Sequence, residues 1–185
     1  MNIATNLKQT AKSIATLEAI ISPNWESRYY SYNSKWAEGE EMFSMRNGSG
    51  DEFYILFTNT GVVGKFFLHE NPTTVEIPQD GNSLFPTFFT EPAFEINNAT
   101  FFLWKKESET EWHSQGGVDE RILKILDGRP EAYKQWADGY YEKNLNLDTI
   151  RAIYDHAELT DDLIHSLNPD LSRKAITEEL AEIGY

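Results

Sequence analysis

The middle of the sequence contains four short segments rich in β-branched and aromatic residues, namely Glu40–Arg46, Glu52–Thr58, Val62–Leu68 and Ala99–Lys106. Turn-forming residues separate the first three, which predicts that these pair as consecutive antiparallel strands. The sequence therefore predicts an antiparallel meander of at least four strands.

The stretch SMRNGSGDEFYILF, residues 44–57, joins two of these segments. Glycines before an apolar run also occur in nucleotide-binding loops, but a P-loop requires G-x-x-x-x-G-K-[ST] between a strand and a helix. Here Gly48 and Gly50 precede two acidic residues, which repel phosphate, and then a run typical of a strand. The Asn47-Gly48 pair predicts a hairpin turn instead.

The sequence shows helical periodicity both before and after the strand segments. Before them, Ile3, Leu7, Ala11, Ile14, Leu17 and Ile21 recur at three- and four-residue intervals, which predicts an N-terminal helix that ends before Pro23. After Val118, an aromatic stripe predicts a helix with a core-facing side, and three short helices follow. The stripe contains Tyr133, Trp136, Ala137, Tyr140 and Tyr141.

These patterns predict an α+β fold in a single domain, residues 1–185. Residues 1–116 would form the N-terminal helix and the antiparallel sheet, with the helix packed on the sheet. Residues 117–185 would form a C-terminal helical subdomain. The length of 185 residues and the 40% hydrophobic content fit one folded core.

Charge narrows the choice of partners. The chain has 16 basic and 30 acidic residues, a formal net charge of −14. Such a field repels nucleic acid and anionic membranes and attracts basic proteins. The absence of cysteine, of a signal-type N-terminus and of a long apolar run predicts a cytoplasmic protein that neither is exported nor spans a membrane.

No motif of a known catalytic chemistry stands out. Without cysteine there is no thiolate nucleophile, and the four histidines are scattered along the chain. Asp161 and His165 are four residues apart on an expected helix, but two ligands do not make a metal site. We expect no metal and no cofactor, and we expect an enzyme less than a binding protein.

An acidic strip is the first candidate binding surface. Glu107, Glu109 and Glu111 alternate along a segment that we expect to be extended, so that their side chains share one face beside Trp112. Such a strip could dock a basic protein, although it is also typical of a solvated sheet edge that discourages aggregation.

A second candidate is the aromatic segment NWESRYYSYNSKW, residues 24–36. Tyrosine, tryptophan and arginine favour recognition surfaces, because they combine rigid area with hydrogen-bonding tips. The alternative is an irregular segment or edge strand whose aromatic rings cover the core. The residues that a pocket for a small ligand would use are Arg28, Tyr30, Asn33, Trp36 and Arg46.

The segments RYYSYNSKW, SMRNGSGDEFYILF and DGRPEAYKQWADGYYEKNLNLDTIRAIYDHAELTDDLIHSLNP resemble a family of uncharacterised bacterial proteins. That resemblance implies a bacterial cytosolic protein. In its architecture and charge the chain is also similar to the Smi1/Knr4-like group, small acidic α+β proteins many of which are thought to neutralise toxins. This similarity implies an immunity-type neutraliser, and with the net charge it predicts a non-enzymatic protein-binding module whose partner is a basic protein. The alternative is a small-ligand-binding or regulatory protein that uses residues 24–36.

Overall fold

The computed structural model describes residues 3–71 and 73–185. It has the α+β fold that the sequence predicts. The chain forms two compact units. The helical unit comprises Met1–Tyr32 and Glu120–Tyr185, and the sheet unit comprises Asn33–Asp119.

Over the described residues, six strands form one sheet in sequence order, which is an antiparallel meander. The four predicted strands are confirmed to within two residues at their ends, and the sheet gains one strand at each edge. The strands are β1 (Tyr30–Ala37), β2 (Glu40–Arg46), β3 (Glu52–Phe57), β4 (Gly61–Phe67), β5 (Phe101–Lys106) and β6 (His113–Gly116).

The predicted hairpin is confirmed between β2 and β3, where Arg46 lies opposite Glu52. The side-chain oxygen of Asn47 accepts hydrogen bonds from the backbone N–H groups of Ser49 and Asp51, at 2.8 and 3.0 Å. Gly48 has a φ of +69°, a left-handed conformation that glycine adopts without a steric penalty. The turn is thus held by its own residues.

One face of the sheet is covered by residues 75–99, for which the sequence predicted no structure. This segment forms helices α2 (Gln79–Leu84) and α3 (Pro86–Thr90) and a 3₁₀ turn over Pro92–Phe94. Its apolar side chains pack with those of the strands into one buried cluster, because alternate strand residues share a face. The cluster contains Leu56, Val63, Phe85, Phe88, Phe89, Phe94, Ile96, Ala99, Phe102 and Trp104.

The helical unit is built around α1 (Leu7–Ile21), which packs against two C-terminal helices. The Asn6 side chain caps its first turn and the helix ends before Pro23, as predicted. The Thr160 side chain accepts a hydrogen bond from the N–H of Leu163 and caps the helix that begins at Asp161. The C-terminal helices are α4 (Glu120–Leu123), α5 (Pro130–Tyr140), α6 (Leu147–Tyr154), α7 (Asp161–His165) and α8 (Thr177–Ile183), with 3₁₀ turns over Lys124–Leu126 and Arg173–Ile176.

The aromatic stripe of α5 is core-facing only in part. Tyr133 and Ala137 are buried, whereas Trp136 is half-buried and Tyr140 is 48% exposed. The expectation that Tyr140 is a core residue is therefore wrong. Its ring lies at the solvent end of an aromatic group, stacked on Trp136 with 5.3 Å between the ring centroids. The predicted single domain remains a prediction, and α1 groups with the C-terminal helices in one compact unit.

Candidate functional site

A groove in the sheet unit is the candidate site. Its volume is about 380 Å³, within the range of pockets that hold small groups. Three parts of the chain form the groove. They are the end of β1 with the start of β2, the C-terminal half of β3, and α3 with the turn that follows it. The lining residues are Trp36, Ala37, Glu40, Leu56, Thr87, Thr90, Glu91 and Phe94.

The base of the groove is aromatic and firmly packed. Phe94 is fully buried, and the rings of Trp36 and Tyr54 both stack on it, with centroid distances of 5.5 and 5.1 Å. Trp36 is half-buried, so part of its indole faces the groove. A rigid indole that is supported by a buried ring provides a flat surface for a planar or cationic group.

Two half-buried carboxylates line the rim, and each is held by one of its oxygens. Glu40 Oε1 accepts a hydrogen bond from Thr87 Oγ1 at 2.8 Å. Glu91 Oε1 accepts one from the backbone N–H of Ala93 at 3.0 Å, which caps the 3₁₀ turn containing Phe94. Within the described chain, neither carboxylate forms an ion pair, and the second oxygen of each remains available as an acceptor.

A second groove of about 470 Å³ adjoins the first and shares Thr90 and Glu91 with it. Its rim adds Glu95, which has the left-handed φ of +44°, and the amides of Asn97 and Asn98. Among the described residues, neither groove is lined by a basic side chain. The two grooves thus form a continuous acidic surface with an aromatic base.

Negative charge is concentrated in the sheet unit. Asn33–Asp119 contains fourteen acidic and five basic residues, a formal charge of −9, whereas the helical unit carries sixteen and eleven, which gives −5. Two ion pairs in this unit join the buried Lys65 to Glu52 and Lys106 to Glu109. Because each pair removes one charge of each sign, the formal charge of this unit stays at −9.

The predicted acidic strip has a different geometry from the one expected. Residues 107–112 form the turn of the β5–β6 hairpin, so Glu107, Glu109 and Glu111 do not alternate along an extended segment. Glu109 is engaged by Lys106 and by His113, each at 3.1 Å, and the Lys106 ammonium lowers the pKa of its carboxyl. Glu107 and Glu111 are exposed.

Trp112 lies in the same turn, with Lys105 Nζ 5.5 Å from the centre of its ring. This cation is therefore already in contact with the tryptophan that was expected to face a partner. Whether this turn binds a partner stays a prediction.

The alternative pocket residues fall in both units. Arg28 is buried in the helical unit, where its guanidinium donates to the carbonyls of Ser22 and Pro23 and pairs with Glu179. Arg28 and Tyr30 line a depression of only about 10 Å³, room for about one water molecule.

The other three alternative pocket residues lie in the sheet unit. The Asn33 side chain accepts from the N–H of Lys35, and Arg46 lies at the end of β2. Of the five residues, Trp36 lines the groove described above. A pocket formed by all five stays a prediction.

Candidate catalytic groups are sparse. His69 Nδ1 lies 2.7 Å from Asp51 Oδ1, a geometry that orients an imidazole base. In the described parts of the chain, however, no hydroxyl lies within hydrogen-bonding distance of the His69 ring. Nor do three or more histidine, aspartate or glutamate side chains there converge as metal ligands. None of the described helices combines the length and apolar character needed to cross a bilayer.

Sequence reasoning identified Trp36 but missed the rest of the groove, including Glu40, Thr87 and Glu91. The sequence contains only a local indication of structure in residues 85–92, where part of the groove lies. Phe85, Phe88 and Phe89 have helical spacing, and Pro86 and Pro92 suit the first turn of a helix. These features are typical of short helices, but they do not show that the segment covers the sheet or which strands it contacts.

Comparison with protein-family models, with curated proteins and with solved structures finds no match for this chain.

Proposed function

We propose that this protein is a non-enzymatic binding module that captures a basic partner protein, in the manner of an immunity-type neutraliser. One observation carries the proposal: a sheet unit with a formal charge of −9 has a groove with an aromatic base and carboxylates at its rim. Aromatic anchors surrounded by complementary charge are the usual composition of protein recognition sites.

The electrostatic field and the groove have different roles in this proposal. The net charge attracts a basic partner and increases the rate of encounter, an effect that salt screens. The groove supplies short-range contacts, which determine how slowly the complex dissociates. The similarity in charge and element order to the Smi1/Knr4-like group supports the same class of function.

Capture from a lysate of the source cells tests this proposal. The immobilised chain should retain proteins with a basic isoelectric point, and 0.5 M salt should release them, since the Debye length then falls to a few ångströms. A Glu40→Gln/Glu91→Gln double variant should retain less of the same proteins. The matched control, Glu70→Gln/Glu76→Gln, makes an equal change in charge at exposed sites in the same unit. Retention of acidic proteins, or of no protein, contradicts the proposal.

A further inference from the structure

We infer that the groove over Trp36 and Phe94 takes a single arginine side chain of the partner. This inference rests on the proposed function and specifies the chemistry of its site. The occupant follows from charge complementarity: the lining offers two carboxylates and an aromatic base, and none of the lining residues that the structure describes is basic.

The rim suits a guanidinium group. Because the Thr87 hydroxyl holds one oxygen of Glu40 and the Ala93 N–H holds one oxygen of Glu91, both carboxylates are fixed before a ligand arrives. Each keeps a second oxygen that can accept from an N–H donor. Arginine has five such donors in a planar fork, so it can satisfy two carboxylates at once.

The base of the groove also favours arginine. A guanidinium stacks flat on an indole and is more weakly hydrated than an ammonium group, so it loses less solvation on entry. Trp36 is stacked on the buried Phe94, which fixes the orientation of the indole. The volume of about 380 Å³ admits the three-carbon stem of the arginine as well as its head group.

Two threonines line the groove on the side of α3. Thr87 and Thr90 lie one helical turn apart on α3 and are exposed on its groove side. The Thr90 hydroxyl donates to the carbonyl of Pro86 at 2.9 Å, which leaves its lone pairs free to accept. A peptide backbone crossing the groove could donate an N–H to this oxygen, beside the anchored side chain.

The test uses the full chain and four capped tripeptides, acetyl-Gly-X-Gly-amide, in which X is arginine, citrulline, lysine or norleucine. Citrulline is the uncharged isostere of arginine, so it separates charge from shape. Isotope-labelled protein followed by NMR should show saturable binding of the arginine peptide. The lysine peptide should bind about tenfold more weakly, because it cannot bridge the two carboxylates in a plane.

Two variants test whether the arginine peptide binds at the groove. Glu40→Gln/Glu91→Gln should weaken arginine binding about tenfold or more, because two charge-assisted hydrogen bonds are lost. The control Glu70→Gln/Glu76→Gln should leave it within about twofold, since only the distant field changes. A melting temperature for each variant shows that the protein remains folded. Equal binding of citrulline and arginine, equal binding of lysine, or no binding overturns the inference.

The experiments distinguish a failure of the arginine site from a failure of the proposed function. If a basic protein is captured in a salt-sensitive way but the arginine peptide does not bind, the arginine site is wrong and the proposed function stands. If the arginine peptide binds but no basic protein is captured, the proposed function fails instead.

Discussion

Glu18 is a buried carboxylate in the helical unit. It lies on α1 with no exposed surface, and no cationic side chain pairs with it among the described residues. Its carboxyl accepts from the hydroxyls of Tyr133 and Tyr141, at 2.9 and 2.8 Å, and from two backbone N–H groups of residues 29–30. Burial raises the pKa of this carboxyl, although the hydrogen bonds act in the opposite direction.

Glu18→Gln should reduce the free energy of unfolding by about 1–3 kcal/mol, because the amide N–H₂ replaces an acceptor and leaves buried donors unpaired. The loss should depend on pH. A raised folded-state pKa means that protonation favours the folded state, so the contribution of Glu18 is complete below the ordinary carboxyl pKa of 4.5 and declines as the pH rises through the folded-state value. The advantage of wild type over the variant should therefore shrink from acid to neutral pH.

Urea denaturation at several pH values measures this effect. The control is Glu158→Gln, an exposed site in the same unit, which should change stability by less than about 0.5 kcal/mol. A Glu18→Gln protein as stable as wild type at every pH would show that the buried carboxyl has no structural role.

Among the structural elements, the β2–β3 hairpin is encoded most locally. Gly48→Val should reduce stability by roughly 1–2 kcal/mol, because a φ of +69° forces a β-branched residue into the left-handed region. A Cβ at this position meets no atom within 4 Å, so the loss comes from the backbone alone.

Gly117→Val is the matched control for this hairpin variant. Gly117 also has open space around it but lacks a positive φ, so the change should stay within about 0.5 kcal/mol. Thermal or chemical denaturation compares the two. Equal stability of both variants would contradict a turn that depends on Gly48.

The sequence predicts best those elements that are formed by interactions between residues close together in the chain. The Asn47-Gly48 turn and the α1 stripe are local, and both were predicted. Strand β1 was expected only as an irregular or edge segment, because Asn33, Ser34 and Lys35 interrupt its apolar pattern. Helices α2 and α3 have only six and five residues, so the helical spacing of Phe85, Phe88 and Phe89 extends over about one turn and is too short to predict a helix.

At the scale of the whole molecule, the candidate site could not be predicted because it is formed by distant parts of the chain. Trp36, Glu40 and Glu91 lie around one groove only in the folded unit, where residues 75–99 pack on the meander. Net charge, which is available from the sequence, correctly indicates an acidic surface. The sequence does not show that nine of the fourteen net negative charges belong to the sheet unit.

Chemical-shift mapping tests the central claim, that the groove of the sheet unit is where a basic partner binds. The labelled protein is titrated with the arginine tripeptide and its side-chain and backbone N–H signals are followed. We expect the largest changes at the Trp36 indole and at the amides of residues 37–40 and 87–91, with the changes reduced in Glu40→Gln/Glu91→Gln. Changes confined to residues 107–112 or 24–32, or spread evenly over the chain, would contradict the account.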